Sequence, residues 1–152
     1  MTLAEQIYKD YLDALKYSVV PKIEPTHKLK LREIRVLMSL GNATSDVSAS
    51  ELAEQLRVDP STITRSLAIL VRGDFIEIYE NEADGRSKMI RLTEHGQNVA
   101  KECHEVFKSF LTDIDSTDGL QDSTRADDVY VERMTDISKR AAFVLRCSRH
   151  RK

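Results

Sequence analysis

The stretch ELAEQLRVDPSTITRSLAIL, residues 51–70, constrains the fold more tightly than any other part of the chain. Leu52 and Leu56 are four apart and fall on one helical face, with Ala53 beside them to let a neighbour approach closely. Ile63, Leu67 and Leu70 then repeat at four and three, the inner stripe of a second helix. Between the two stripes Val58-Asp59-Pro60 breaks the periodicity. Proline ends the preceding helix and is pre-shaped for the first turn of the next. Ser48 with Glu51 three residues on is a capping-box signature, so the first helix opens there and ends near Leu56. With Val58 filling the turn, residues 49–67 have a helix-turn-helix pattern.

The second helix of the pair turns Ser61, Thr62, Thr64 and Arg65 outward, with Ser66 at the edge of that face. Short hydroxyls plus one arginine at a helix N-terminus fit a DNA major groove about 12 Å wide, the hydroxyls reaching phosphates or base edges and the arginine a guanine. The same face also suits a plain solvated helical hairpin, and the flanking chain decides between the two. In IEIYENEADGRSKMIRL, residues 76–92, alternating ends predict strands of about 75–79 and 87–92 around a bend at Asn81 to Gly85. A helix-turn-helix followed by a two-stranded wing is a recurrent DNA-binding module. It accounts for Arg86 directly after Asp84 and Gly85: the arginine enters a narrow minor groove while Asp84 holds its guanidinium. The candidate DNA-facing residues are Arg57, Ser61, Thr62, Thr64, Arg65, Asp84, Arg86 and Lys88.

A chain of 152 residues is one ordinary domain able to bury a real core. With 41% hydrophobic and 32% charged residues it reads as a charge-rich globular protein. No apolar run approaches the ~20 residues of a membrane span, and MTLAEQIYKDYLDAL has no signal-peptide core, so a cytoplasmic location is expected. A first helix is expected from about Leu3 to Val20, with Tyr8, Leu12, Leu15 and Val19 on one stripe, broken by Pro21 and Pro25. A second, about Lys30 to Leu40, turns Leu31, Ile34, Leu37 and Met38 inward and closes at Gly41-Asn42. Thr93 caps a long helix with Val99, Cys103, Val106, Phe107, Phe110 and Ile114 on one face. After the polar loop DSTDGLQDST, Tyr130, Met134, Ile137, Ala141 and Val144 have the heptad spacing of a helix–helix seam.

The net charge of −2 argues only weakly against a nucleic-acid partner, because charge beyond a Debye length of about 8 Å is hidden. Lys28 to Arg91 holds ten basic and ten acidic residues, yet residues 57–72 carry Arg57, Arg65 and Arg72 against Asp59 alone. The basic end, RCSRHRK, suits the C-terminal dipole of a last helix. No catalytic site, metal site or cofactor is expected. His27, His95, His104 and His150 form no ligand set, and Cys103 and His104, neighbours on a helix, diverge by about 100°.

IRVLMSLG, then ELAEQLRVDPSTITRSLAIL, then ADGRSKMIRLTEHG, in that order and spacing, resemble the MarR family of winged-helix regulators. The most specific element is the wing signature Asp84-x-Arg86 followed by a strand and Leu92 to Gly96. The likeness implies a mainly α fold with a small β-hairpin wing in one domain, residues 1–152. Residues 28–92 would form the DNA-binding lobe, and 1–27 with 93–152 the dimerisation helices. It implies a homodimer on a pseudo-palindromic operator in double-stranded DNA, usually a repressor relieved by a small-molecule effector or an oxidant. An effector cleft would draw on Tyr8, Tyr11, His27, Arg32 and Arg35, a cationic side chain beside aromatic rings suiting an aromatic acid. Thiol sensing would fall to Cys147, among Arg140, Arg146 and Arg149, rather than to Cys103 in a core stripe. Two positions depart from the family pattern. Asp74 stands where a glycine usually precedes the first wing strand, and Ile78 and Tyr79 where an arginine is common. With Glu77, Glu80 and Glu82, the wing is acidic, which lowers non-specific phosphate affinity. A winged-helix protein–protein interaction module without sequence-specific DNA binding is the alternative.

Overall fold

The computed structural model describes residues 2–81, 83 and 88–117, with side chains to Thr112. Asp84, Arg86, Cys147 and the heptad stripe from Tyr130 to Val144 lie outside the described residues. The chain divides into two compact units: one is Arg32–Lys101, the other takes the chain up to Leu31 and again from Glu102.

In the unit containing the N-terminus, α1 spans Leu3–Ser18 and α2 Val20–His27. Thr2 opens α1 with a reciprocal cap: its hydroxyl accepts from the Glu5 N–H at 3.2 Å, and its own N–H donates to the Glu5 carboxylate at 2.9 Å. Tyr11, Leu15, Val19 and Ile23 are buried. The expected break at Pro21 and Pro25 is instead a helix. Pro21 sits in the first turn, where a backbone N–H has no intrahelical acceptor. Pro25 removes one bond, and α2 ends two residues later, with Lys28 left-handed at φ 58°.

The second unit holds most of α3 (Leu31–Asn42), then β1 (Val47–Ser48), α4 (Ala49–Leu56), α5 (Pro60–Arg72), β2 (Ile76–Glu80), β3 (Lys88–Leu92) and the start of α6 (Glu94–Thr117). The expected hairpin is therefore two strands of a three-stranded antiparallel sheet in the order β1-β3-β2. Val47 pairs with Ile90, and Ile76 to Glu80 pair with Leu92 to Lys88. One face of this sheet carries Val47, Ile76 and Ile90 into a core shared with Ile34, Leu37, Leu52 and Leu70, all fully or nearly fully buried.

Three joints set the wing's root. Gly73 ends α5 with an ordinary φ of −85°, and Asp74 takes the left-handed conformation at φ 61°, which aspartate tolerates. Thr93 then ties both ends of the sheet together. Its N–H donates to the Phe75 carbonyl at 3.0 Å, its hydroxyl donates to the Asp74 carbonyl at 2.5 Å, and that hydroxyl caps the Gly96 N–H at 3.0 Å. At Gly96 a Cβ would lie 1.9 Å from the Phe75 carbonyl oxygen, so no larger residue fits without moving backbone. Gly41, expected to end its helix, is instead inside α3, and a Cβ there would meet the Ala100 Cβ at 3.2 Å.

Candidate nucleic-acid interface

The outer face of α5 follows from its inner one. Ile63, Ser66, Leu67 and Leu70 are buried, which at 100° per residue leaves Ser61, Thr64, Arg65, Ala68 and Arg72 on the opposite side, and all five are exposed. Thr62 is half-buried at the margin, and Ile69 adds an apolar edge at 40% exposure. The Thr64 hydroxyl donates back to the Pro60 carbonyl at 2.9 Å, leaving its lone pairs outward. The Arg65 guanidinium reaches the Thr62 hydroxyl only at 3.5 Å, a contact too long to hold it. Arg57 takes the left-handed C-cap of α4 at φ 54°, and its backbone N–H closes onto Ala53 and Glu54 carbonyls.

Ser66 corrects an expectation. It is not at the exposed edge but buried, its hydroxyl donating to the Glu33 carboxylate at 3.1 Å. Sequence reasoning also left Arg72 out of the site. It lies seven residues after Arg65, two helical turns on the same stripe, and that spacing was available from the sequence.

On the wing, Lys88 stands across from Glu80 in the ladder. The outer face of the sheet is internally neutralised. The Arg91 Nε donates to Glu77 at 3.0 Å and its guanidinium lies 4.6 Å from the centre of the Tyr79 ring. The Tyr79 hydroxyl donates to the Asp46 carboxylate, and this bond pushes the phenol's pKa up. Of the wing signature, Lys88 and Leu92 to Gly96 are described. His95 stacks on Phe75 with ring centres 4.6 Å apart, so the histidine packs on the wing root.

The effector candidates divide between the two units: Tyr8, Tyr11 and His27 in one, Arg32 and Arg35 in the other. Tyr11 is buried edge-on to Phe107 at 5.9 Å, and His27 Nε2 sits 3.0 Å from the Glu102 carboxylate. Arg32 is exposed. Arg35 is 9% exposed and donates to the Leu56 carbonyl at 2.8 Å, which places its guanidinium in the interior of the lobe. Cys103 is buried, and loss of hydration, with a smaller push from Glu102, raises its thiol pKa to about 12. No group of histidines, cysteines and carboxylates among the described residues is arranged to hold a metal ion. No described helix is long and apolar enough to cross a membrane.

A helix-turn-helix followed by a small antiparallel sheet defines a mainly α winged-helix fold. Residues 27–87 match the model of the MarR family. None of the curated proteins matches by sequence. Among solved structures the chain is similar to wild-type MarR from E. coli in its apo form, at 21% identity and a TM-score of 0.62, covering 77% of this chain and 85% of that one. It is likewise similar to MepR, a transcription regulator of the Staphylococcus aureus multidrug efflux pump MepA, at 19% identity and a TM-score of 0.63, covering 77% and 84%. FabT from Streptococcus pneumoniae, solved in complex with DNA, gives 23% identity and a TM-score of 0.62, covering 80% and 84%. At these identities the shared property is the fold.

Proposed function

We propose that this protein is a DNA-binding transcriptional regulator that reads a duplex with α5. One observation carries the reading: the exposed stripe Ser61, Thr64, Arg65, Ala68 and Arg72 on a helix whose opposite face anchors it in the core. An α-helix fits the major groove; Arg65 supplies a bidentate donor for a guanine, the hydroxyls of Ser61, Thr62 and Thr64 supply shorter contacts, and Arg57 and Arg72 meet phosphates. The Asp84–Arg86 tip and Lys88 add contacts from the wing. Related proteins bound to DNA, FabT among them, support this direction of use.

One recognition helix reads too few base pairs for a unique site. We therefore propose a homodimer whose two reading helices meet successive major grooves, about 34–36 Å apart, on a pseudo-palindromic operator, acting as a repressor. Selection of bound fragments from random duplex DNA tests this directly. Two inverted half-sites about 10–10.5 base pairs apart are expected, with a dimer by sedimentation. A wild-type monomer at micromolar concentration would contradict the assembly. Release by an aromatic acid is the proposed signal, with Arg32 as the accessible cation. Salicylate-like compounds should weaken operator binding, and Arg32→Ala should respond less. If mild peroxide acts instead and Cys147→Ser abolishes the response, a thiol signal replaces it.

A second reading, a winged-helix module for protein partners, draws on the wing alone: Glu77 and Glu80 are exposed, and Arg91 is engaged by Glu77. That module would recover no preferred duplex from the same selection.

A further inference from the structure

We infer, on the DNA-binding reading above, that Glu33 and Arg35 are positioning residues: α3 uses them to fix how α5 presents its reading face. Both are charged, yet they are only 5% and 9% exposed. Two residues apart on a helix, their side chains leave α3 about 200° apart and can grip different neighbours. The Glu33 carboxylate accepts from the Ser66 hydroxyl at 3.1 Å, and Arg35 donates to the Leu56 carbonyl at 2.8 Å.

Each partner sits where it controls geometry. Leu56 is the last residue of α4, where a carbonyl has no partner within its own helix. Arg35 satisfies it at the entry to the turn Arg57-Val58-Asp59, and so holds the angle at which the chain passes into α5. Ser66 lies in the middle of α5 on its buried side, immediately after Arg65. A polar bond there resists rotation about the helix axis in a way apolar packing does not, because Ile63, Leu67 and Leu70 can slide against their neighbours but the hydroxyl has one directional acceptor. Rotation by about 30° moves the outer surface of a helix of roughly 5–6 Å radius by about 3 Å, a whole hydrogen-bond length. That is enough to take Arg65 from one base edge to the next.

A buried pair of this kind adds little net stability. A hydroxyl–carboxylate bond contributes modestly to stability, while its directionality acts on how the helix is oriented. Stability and reading can therefore be separated by experiment. In the full-length protein, affinity is measured for the duplex selected by wild type and for versions changed at each base pair, alongside thermal unfolding. Ser66→Ala should lower the melting temperature and reduce discrimination at the position read by Arg65 by roughly tenfold or more. Leu67→Ala, which removes apolar packing from the same buried side of α5 and leaves the bond in place, should lower the melting temperature at least as much and keep discrimination in the folded protein within about twofold of wild type. Glu33→Gln still accepts from Ser66 and should keep discrimination within about twofold of wild type. Arg35→Met, which keeps the stem and loses the donor, should lose discrimination as Ser66→Ala does. Discrimination that falls equally in Leu67→Ala, or never falls in Ser66→Ala, would overturn the inference and leave DNA binding standing. Wild type with no preferred duplex would remove the DNA-binding reading, and this inference with it.

Discussion

Helices α3 and α5 are nearly equal in length, twelve and thirteen residues, and both carry arginines and hydroxyls on an apolar stripe. Their surroundings differ completely. Every residue of α3 from Glu33 to Leu40 is buried, whereas α5 buries only Ile63, Ser66, Leu67 and Leu70. Arg35 accordingly donates to a backbone carbonyl, while among the described residues Arg65 reaches only a hydroxyl at 3.5 Å. The same residue type is a structural tie in one helix and an available contact in the other. Partner and burial, not charge, decide which.

Substitutions should separate the two helices. Leu37→Ala, in the fully buried centre of α3, should cost about 2–5 kcal/mol of folding stability by calorimetry, with duplex preference intact in the protein that remains folded. A loss below about 0.5 kcal/mol would mean that α3 is not packed as described.

The contrast extends along α6 to its buried thiol. Cys103→Ser places a hydroxyl where there was a thiol and should destabilise by about 1–3 kcal/mol. Because the folded thiol pKa is raised from 9.0 to about 12, its contribution is complete below pH 9 and is lost as pH rises towards 12, where the unfolded chain already ionises. Chemical unfolding at pH 8 and pH 10 should show the decline in wild type and not in the serine variant. Thiol reagents at neutral pH should leave Cys103 unmodified until the protein unfolds.

On the open face of α5 the expected effects are smaller and fall on binding. Arg72→Ala should lower the slope of log affinity against log salt by about 1, equally for all duplexes, as loss of one phosphate contact does. A change confined to one base pair would instead make Arg72 a base reader. Ile69→Ser should change folding stability by no more than about 0.5 kcal/mol, since the side chain is 40% exposed. A larger loss would show that this edge of α5 is covered in the assembled protein.

The elements that position the candidate interface were legible where apolar spacing is regular. The α4–α5 pair, the paired strands, the Thr93 cap and the left-handed Asp74 all follow from local residues, and the structure has each of them. Strand β1 was not legible, because two residues cannot show alternation and its partner lies more than forty residues on. The prolines misled because Pro21 stops one helix in a position that also starts another. Burial of Glu33 and Arg35 was invisible for a different reason. Charge predicts exposure, and their partners are 33 and 21 residues away. Ser66 was misplaced although its spacing, three residues after Ile63 and four before Leu70, puts it on the buried stripe, whereas Ser61 and Thr64 fall outside that stripe.

The central claim is that α5 reads sequence through its open face, and the most direct measurement is a base-by-base affinity profile of Arg65→Ala. The duplex selected by wild type is changed at one base pair at a time, and each version is titrated with both proteins at fixed salt. Arg65→Ala should bind the parent duplex about 1–3 kcal/mol more weakly, and its profile should be flat at one position per half-site and unchanged elsewhere. A profile identical to wild type, or a wild type that prefers no duplex at low salt, would contradict it.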